Sequence, residues 1–356
     1  MNMKYSRDKL KHRFNLIKAK RNLDHFHKIH KQAAFKEILN IEKHNGQQLT
    51  PLIRKRCDEY AVEVFGDIRY SPWLYFYSVL RGKFMEGWIP ANFYSRYVLP
   101  DKGLIGLAIT KTFSKIVLKT DALPDIAYHI NGLLYNMDFS PINLNQLHKI
   151  IERDSEVVLK TNQSVRGRGV SKLHIKDIDE ETLKSIGDCV IQNEVKQHPY
   201  FDDFVIGPLT TIRIATVRNP QGRIEYRGAY LKLGRQGSKL YHSEKGIFVP
   251  VINNVGLLSK FGYNLEFNRM TQHPDTTYSF EDKCLPKFPE AVDLCVRLHG
   301  TIPHFPIIGW DIAVDRKENI KVIEWNAGMP HPAIKSLEGT IGPCFTGLNW
   351  ESLKKD

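Results

Sequence analysis

The most informative segment of the sequence is residues 309–330, which read GWDIAVDRKENIKVIEWNAGMP. Apolar residues with interspersed polar ones predict strands over 307–314 and 320–325, and the DRKEN segment between them is typical of a hairpin turn. Side chains two positions apart on a strand leave the same face, so Glu324 and Asn326 share a face. The short turn predicts that Asp311 lies alongside them.

Two carboxylates and an amide oxygen on one sheet face predict a metal site. Like charges directly opposite each other on neighbouring strands repel, so Asp311 and Glu324 require a cation. With Asn326 they form an all-oxygen ligand set, which suits Mg²⁺. The alternative is a hairpin with a solvated polar face, which fits poorly because apolar residues surround each acid.

A second segment, VVLKTNQSVRGRGV at residues 157–170, is typical of a phosphate-binding loop. A strand over 157–160 delivers Lys160, and the loop after it contains Arg166, Gly167 and Gly169. Glycines let backbone N–H groups close around phosphate oxygens, and the cationic side chains add charge. Many glycine-rich loops are only turns, so the loop alone is weak evidence for phosphate binding. The acidic hairpin further along the sequence strengthens that interpretation.

Further strands are predicted at 189–194, 211–218 and 223–232, with a hairpin turn at 220–222. Antiparallel pairs mixed with helices indicate an α+β body rather than a doubly wound parallel sheet. Arg213 lies between Ile212 and Ile214 in one of these strands. Its position fits an edge-strand surface arginine and a bidentate phosphate clamp equally well.

Composition excludes several other classes of protein. The five cysteines of the 356-residue chain form no C-x-x-C pair, which argues against a zinc knuckle and a disulfide framework. Without an apolar run of membrane-spanning length, we expect a cytoplasmic protein. The net charge of +12 is concentrated in residues 1–56, which hold 15 Lys or Arg and four Asp or Glu.

Apolar residues at helical spacing over residues 4–44 predict basic amphipathic helices. These helices either pack on the main body as a solvated pair or contact an anionic membrane surface or an acidic partner. Nucleic acid is disfavoured because no groove-reading motif accompanies the charge. The aromatic residues of 57–100 should mostly form core, with a sugar-stacking platform as the alternative, and a helix should follow over about 102–111.

Taken together, these segments resemble the ATP-grasp superfamily, and most closely its sugar-transfer-associated members, which are found beside glycosyltransferases in surface-polysaccharide gene clusters. The resemblance covers about residues 88–332. It implies an ATP-grasp fold, in which two α+β subdomains sandwich ATP, here with a basic helical N-terminal extension. The domains expected are the extension at 1–56, an aromatic-rich α/β region at 57–140, a subdomain with the glycine-rich loop at 141–196, and a C-terminal subdomain with the metal site at 197–356.

The resemblance also implies ATP and Mg²⁺ as cofactors and a role for particular residues. The metal ligands are Asp311, Glu324 and Asn326, and the catalytic residues are Arg213, Lys160 and Arg235. The nucleotide-binding residues are Lys102, Lys160, Arg166, Gly167, Gly169, Gln192, Asn193, Glu194 and Val195. The family usually carries an Asp-Asn pair where this chain has His242 and Ser243, which leaves the substrate end of the site open.

The activity implied is that of an ADP-forming carboxylate–amine ligase in capsule or other surface-polysaccharide biosynthesis. Such an enzyme joins an amino acid or amine to a uronic acid or amino sugar through an acyl phosphate. One alternative is a kinase for a sugar or polyol hydroxyl, and another is a non-catalytic nucleotide-binding scaffold. The partners expected are a small-molecule or glycan substrate and, through residues 1–56, an anionic inner membrane face or glycan-assembly machinery.

Overall fold

The structure is a computed structural model. It describes residues 2–99, 102–151, 155–162, 164 and 169–327, with the side chains of 2–13, 16, 102 and 243 left aside. The described residues up to Val98 form one unit, and those from Leu99 onward form a second. The predicted boundary between residues 56 and 57 lies inside a helix of the first unit.

The first unit is helical. Its helices are α1 (Asn2–Asn45), α2 (Pro51–Phe65), α3 (Ser71–Arg81) and α4 (Ala91–Phe93), with short 3-10 and π turns at Ile68–Tyr70 and Tyr94–Val98. Local chemistry sets the ends of α2, because Thr50 caps its first turn, Pro51 opens it, and Gly66 closes it in the left-handed region. The predicted basic helical extension is confirmed, as one continuous helix rather than a pair.

Aromatic side chains fill the core of the first unit, as the sequence predicts. Trp73 is 1% exposed and donates its indole N–H to Nδ1 of His30 on α1, 3.0 Å away. The other buried aromatic residues described in this unit are Phe65, Tyr70, Tyr75, Phe76, Tyr77, Trp88, Phe93 and Tyr94. No helix in the described part of the chain is long and apolar enough to cross a bilayer.

The second unit combines helices with two sheets. Its helices are α5 (Lys102–Ile109), α6 (Ser114–Leu118), α7 (Leu144–Ile150), α8 (Glu180–Ile186) and α9 (Phe288–Thr301). Its strands are β1 (Asp125–Ile130), β2 (Leu133–Tyr135), β3 (Pro141–Ile142), β4 (Glu156–Thr161), β5 (Val170–His174), β6 (Cys189–Asn193), β7 (Thr211–Arg218), β8 (Ile224–Leu233), β9 (Ile247–Pro250), β10 (Gly262–Tyr263), β11 (Arg269–Met270), β12 (Ile307–Val314) and β13 (Ile320–Asn326).

The strands form a six-stranded sheet in the order β3-β2-β1-β6-β4-β5 and a seven-stranded sheet in the order β11-β10-β9-β8-β7-β12-β13. Leu147 of α7 and Leu183 of α8 belong to the hydrophobic core of the first sheet. Phe288, Ala291 and Cys295 of α9, spaced three and four apart, belong to the core of the second. The pairs described are antiparallel, which confirms the predicted α+β class.

The strands predicted near the site are confirmed, with β7 and β12 bounded as expected. The predicted turns also form: the Asn219 N–H bonds the Arg223 carbonyl at 2.8 Å, and the Asp315 N–H bonds the Asn319 carbonyl at 2.9 Å. The segment after β6 connects the two sheets, since the His198 N–H donates to the Val314 carbonyl at 2.8 Å. The segment after β6 therefore lies beside the turn of the β12–β13 hairpin.

Candidate functional site

Three charged residues stand side by side across three neighbouring strands. Asp311 of β12 is the direct partner of Arg213 on β7 and of Glu324 on β13. Residues paired in this way project from the same face of a sheet. The structure thus places Asp311 alongside Glu324, as the hairpin predicted.

The opposite face of β12 is anchored by a buried polar chain. The Trp310 indole N–H donates to the Thr216 hydroxyl at 2.8 Å, and that hydroxyl lies 2.8 Å from Nδ1 of His299. Burial lowers the pKa of His299 to about 4, so its imidazole is neutral. Successive side chains on a strand project from opposite faces of the sheet. Fixing Trp310 on one face of β12 therefore places Asp311 on the other face, beside Arg213 and Glu324.

Asp311 is buried and held by two cations. Its carboxylate accepts from Arg213 Nε at 2.7 Å, from Arg213 Nη2 at 3.1 Å and from Lys232 Nζ at 3.0 Å. Burial alone would raise the pKa of Asp311, but the two cations hold it below its ordinary value. Gly309 makes room for the guanidinium, since a Cβ there would lie 3.0 Å from Arg213 Nη1. The carboxylate is therefore ionised.

Lys232 is flanked by an aromatic ring. Its ammonium lies 4.9 Å from the centre of the Tyr241 ring, and burial lowers the pKa of Lys232 against the opposing effect of Asp311. The Tyr241 hydroxyl is buried and has no hydrogen-bond partner among the described residues. Gly246 accommodates that hydroxyl, because a Cβ at Gly246 would approach it to 2.4 Å.

Glu324 is paired with a lysine from a distant part of the chain. Lys111 Nζ donates to Glu324 Oε1 at 2.6 Å, with the glutamate side chain 31% exposed. Lys111 is the first residue of a short 3-10 turn that follows α5. Hydrogen bonds hold this turn and the residue after it in place. The Thr112 N–H donates to Asn162 Oδ1 at 3.1 Å, and the Trp325 indole donates to the Ser114 hydroxyl at 3.2 Å.

Lys160, on β4 of the first sheet, extends to β13 next to Glu324. Its ammonium donates to the Ile323 carbonyl of β13 at 2.9 Å. Burial lowers the pKa of Lys160 to about 8, with Glu324 opposing that shift and Lys111 adding to it. The site thus gathers four cationic side chains around two carboxylates, and this excess of positive charge suits a polyanionic ligand.

The glycine-rich loop is described only in part. Arg166 and Gly167 lie outside the described residues, and so does the side chain of Lys102. Gly169 has a φ of +76°, and a Cβ there would lie 2.1 Å from the Thr161 hydroxyl oxygen. That position requires glycine, and the Gly169 carbonyl closes the hairpin by accepting from the Thr161 N–H at 2.9 Å.

The predicted hinge, Gln192 to Val195, comprises the last two residues of β6 and the two that follow. Gln192 is buried and donates from Nε2 to Asp125 Oδ1 at 2.7 Å, and Asn193 donates its backbone N–H to the Pro124 carbonyl. Glu194 forms ion pairs with two lysines, which leaves its carboxylate neutralised in this structure. Val195 lies within the connection from β6 to the second sheet.

Arg235 lies outside this cluster of contacts. Its guanidinium forms a bidentate pair with Asp275, which holds the pKa of that carboxyl at about 2. The arginine side chain is 41% exposed. The described contacts thus engage Arg235 with a loop carboxylate, so a role in catalysis would require it to leave Asp275.

Sequence reasoning missed Lys111 and Lys232 as site residues. Lys232 carried a usable signal, because it is the last residue of a predicted strand and lies between Leu231 and Leu233, much as Arg213 lies between two isoleucines. Lys111 carried no comparable signal. It appeared as the last residue of a predicted helix, and only tertiary packing reveals its contact with Glu324.

The acidic residues fit a hard metal ion. A carboxylate offers about four lone-pair sites, so Asp311 with three hydrogen bonds and Glu324 with one to Lys111 both keep acceptor capacity. Asn326, opposite Gly309, has a buried Nδ2 with no partner in the described part of the chain. No cluster of three or more His, Cys, Asp or Glu suited to a metal occurs among the described residues. Asp311, Glu324 and Asn326 together offer an all-oxygen set of the kind that Mg²⁺ prefers, and they are the candidate ligands.

The family is established by a direct match. The family model described as "Sugar-transfer associated ATP-grasp" matches residues 101–339, which is well over half of the chain. The chain belongs to this sugar-transfer-associated ATP-grasp family, with its basic helical extension preceding the matched region. A comparison with curated proteins finds no match.

Similar solved structures include the following three. The MgADP-bound biotin carboxylase domain of Hydrogenobacter thermophilus 2-oxoglutarate carboxylase is 16% identical, with TM-score 0.40 and coverage of 70% of this chain and 48% of that one. Staphylococcus aureus N5-carboxyaminoimidazole synthetase with ADP is 11% identical, with TM-score 0.41 and coverage of 68% and 52%. The ATP-grasp ligase PsnB with a precursor variant, Mg and ADP is 13% identical, with TM-score 0.40 and coverage of 70% and 59%. The chain spans about half the length of such structures, and the family assignment rests on the family match alone.

Proposed function

We propose that this protein is an ADP-forming carboxylate–amine ligase that uses Mg-ATP. It forms an amide between an amino acid or amine and a sugar, either a uronic acid or an amino sugar, in surface-polysaccharide biosynthesis. One observation carries the proposal: four cationic side chains converge on two carboxylates at paired positions of β12 and β13. The sugar substrate is suggested by the family's description.

The charge pattern supports a triphosphate ligand. In the structure, Arg213 and Lys232 neutralise Asp311, and Lys111 neutralises Glu324. Phosphate oxygens can take over these donors, because guanidinium and ammonium groups form strong charge-assisted hydrogen bonds with them. The carboxylates released in this way become available to a cation.

Asp311, Glu324 and Asn326 would hold Mg²⁺ at this position. When bound, the ion neutralises charge on the phosphate oxygens. The chain's own cations share that task. We assign Arg213 and Lys232, which lie beside Asp311, to the transferred phosphoryl group, and Lys160 to the α- and β-phosphates.

The proposed reaction has two steps. A substrate carboxylate oxygen attacks the γ-phosphorus, the bond from that phosphorus to the ADP oxygen breaks, and an acyl phosphate forms. The amine nitrogen then attacks the acyl carbon, inorganic phosphate leaves, and the nitrogen loses a proton. Such phosphoryl transfer requires positioning and charge stabilisation rather than a protein nucleophile. The buried cations on β4, β7 and β8 can supply both.

Two rival functions use the same site. A kinase would transfer the phosphoryl group to a sugar or polyol hydroxyl, and a scaffold would bind nucleotide without turnover. The two ion pairs of Asp311 favour an active site over a scaffold, because a scaffold has no need to maintain a buried carboxylate beside two cations.

Phosphorus NMR tests these functions together. The protein is incubated with Mg-ATP and pairs of uronic acids and amines, and we expect ADP and free phosphate only when both are present. Phosphate retained on a sugar would establish the kinase instead, and nucleotide binding without turnover across the panel would favour the scaffold. Asp311→Asn should abolish turnover, whereas Glu318→Gln, in the exposed turn of the same hairpin, should leave it unchanged.

A further inference from the structure

Helix α1 carries two different faces. One face packs within the first unit through His27, Ala34, Ile38 and Ile41, which are all buried. These positions recur at spacings of three, four and seven, so they form one stripe along the helix. This stripe accounts for the apolar spacing of the C-terminal half of α1, whereas the described side chains at 14, 15 and 17–22 are exposed.

The second face is exposed, and we call it the basic face. It consists of Phe14, Ile17, Lys18, Arg21, Lys28 and Leu39. At about 100° per residue, its centre lies roughly 120° around the helix from the packed stripe. The three apolar members are 68%, 47% and 63% exposed, which is unusual for side chains of this size. The described residues of the first unit therefore leave these six side chains exposed.

The basic face combines apolar and cationic side chains over a long distance. From Phe14 to Leu39 the helix rises roughly 38 Å. Asp24, an acidic residue of the same helix, is already paired with Arg69 at 2.8 Å, so the charge of the face stays positive. Lysine and arginine can extend to anionic headgroups while phenylalanine, isoleucine and leucine enter the boundary between headgroups and acyl chains.

We propose that the basic face of α1 docks on an anionic lipid surface. Charge complementarity selects the anionic headgroups, and the exposed apolar side chains select a lipid bilayer over other polyanions. A nucleic acid would neutralise the three cations, but it would leave Phe14 and Leu39 in water. Docking of this kind is independent of the nucleotide site.

Vesicle flotation with the full-length protein tests the proposal. We expect binding to vesicles of phosphatidylcholine with 30 mol% phosphatidylglycerol, little binding to pure phosphatidylcholine, and loss of binding as salt rises. The variant Lys18→Gln/Arg21→Gln/Lys28→Gln should lower the partition coefficient roughly 100-fold, at about fivefold per charge. The matched control is Lys176→Gln/Lys184→Gln/Arg223→Gln, which removes the same charges from exposed sites of the second unit and should bind as the unmodified protein does.

A second variant separates lipid from other polyanions. Phe14→Ala/Leu39→Ala keeps every charge, and we expect it to bind the anionic vesicles roughly tenfold more weakly or worse. Unchanged vesicle binding by this variant would overturn the proposal, as would equal binding to neutral vesicles or equal losses in the two charge variants. Tight, basic-face-dependent binding of a single-stranded RNA oligomer without vesicle binding would identify nucleic acid as the partner and also overturn it.

Discussion

Replacing Lys160 by methionine should stabilise the nucleotide-free protein while removing its response to ATP. The pKa of this lysine falls from 10.5 to about 8 on burial. At 1.36 kcal/mol per pKa unit, keeping the ammonium charged at pH 7 costs about 3 kcal/mol of folding free energy. Methionine retains the apolar stem but loses the hydrogen bond to the Ile323 carbonyl, which is worth about 1 kcal/mol. The net stabilisation is about 2 kcal/mol.

The assay is thermal unfolding at pH 7 with and without Mg-ATP. A gain of about 2 kcal/mol should raise the midpoint by roughly 5 °C for a unit of this size. Mg-ATP should raise the midpoint of the unmodified protein, since a ligand that binds only the folded state stabilises it, but should raise that of Lys160→Met far less. Lys176→Met, at an exposed site, is the control and should change neither value.

The pH dependence of the stability difference between Lys160→Met and the unmodified protein is a second, independent test. The folded-state pKa of Lys160 lies below its unfolded value, so the folded state binds fewer protons between about pH 8 and 10.5. The cost of burying the charge is therefore fully present below pH 8 and disappears as pH rises through this window. The advantage of Lys160→Met should shrink accordingly. A variant less stable than the unmodified protein at pH 7, or an advantage independent of pH, would refute the reasoning.

Further substitutions test the remaining contacts. Arg213→Met should lower the free energy of unfolding by about 3 kcal/mol, because it removes a partner of the buried Asp311, and adding Asp311→Asn should recover part of that loss in urea titrations. Tyr241→Phe should change stability by less than about 1 kcal/mol since its hydroxyl has no described partner, whereas Gly246→Ala should cost about 2 kcal/mol through the 2.4 Å approach to that hydroxyl. The double variant should be less destabilised than Gly246→Ala alone, and additive costs would contradict this contact. Lys111→Met should weaken Mg-ATP binding at least tenfold in calorimetry by removing a charge-assisted donor, and unchanged affinity would exclude Lys111 from the phosphate site.

Local patterns predicted the strands and the hairpin well. The β12–β13 register follows from a short polar turn between two strongly apolar strands, so Asp311 and Glu324 were placed correctly from residues close in sequence. The same reasoning placed Arg213 within a strand but left its role open. That role depends on the neighbouring strand, and the pairing of Arg213 with Asp311 joins residues 98 positions apart.

Contacts between distant segments explain what the sequence left unpredicted. Lys111 meets Glu324 across 213 residues, through a turn held by Asn162 and by the indole of Trp325. Arg235 pairs with Asp275, which is 40 positions further along the sequence, and no local pattern predicts that pair. The N-terminal helix shows the same limit, because spacing predicted amphipathic helices without revealing which of their apolar side chains are buried and which stay exposed.

Calorimetric titration with Mg-ATP tests the nucleotide site most directly. We predict a single saturable site in the unmodified protein and loss of most of the affinity in Glu324→Gln, whose side chain is exposed enough to be changed without unfolding the strand. Omitting Mg²⁺ should weaken binding in the unmodified protein more than in the variant. No binding of Mg-ATP, or equal affinity in both proteins, would contradict the assignment of this site.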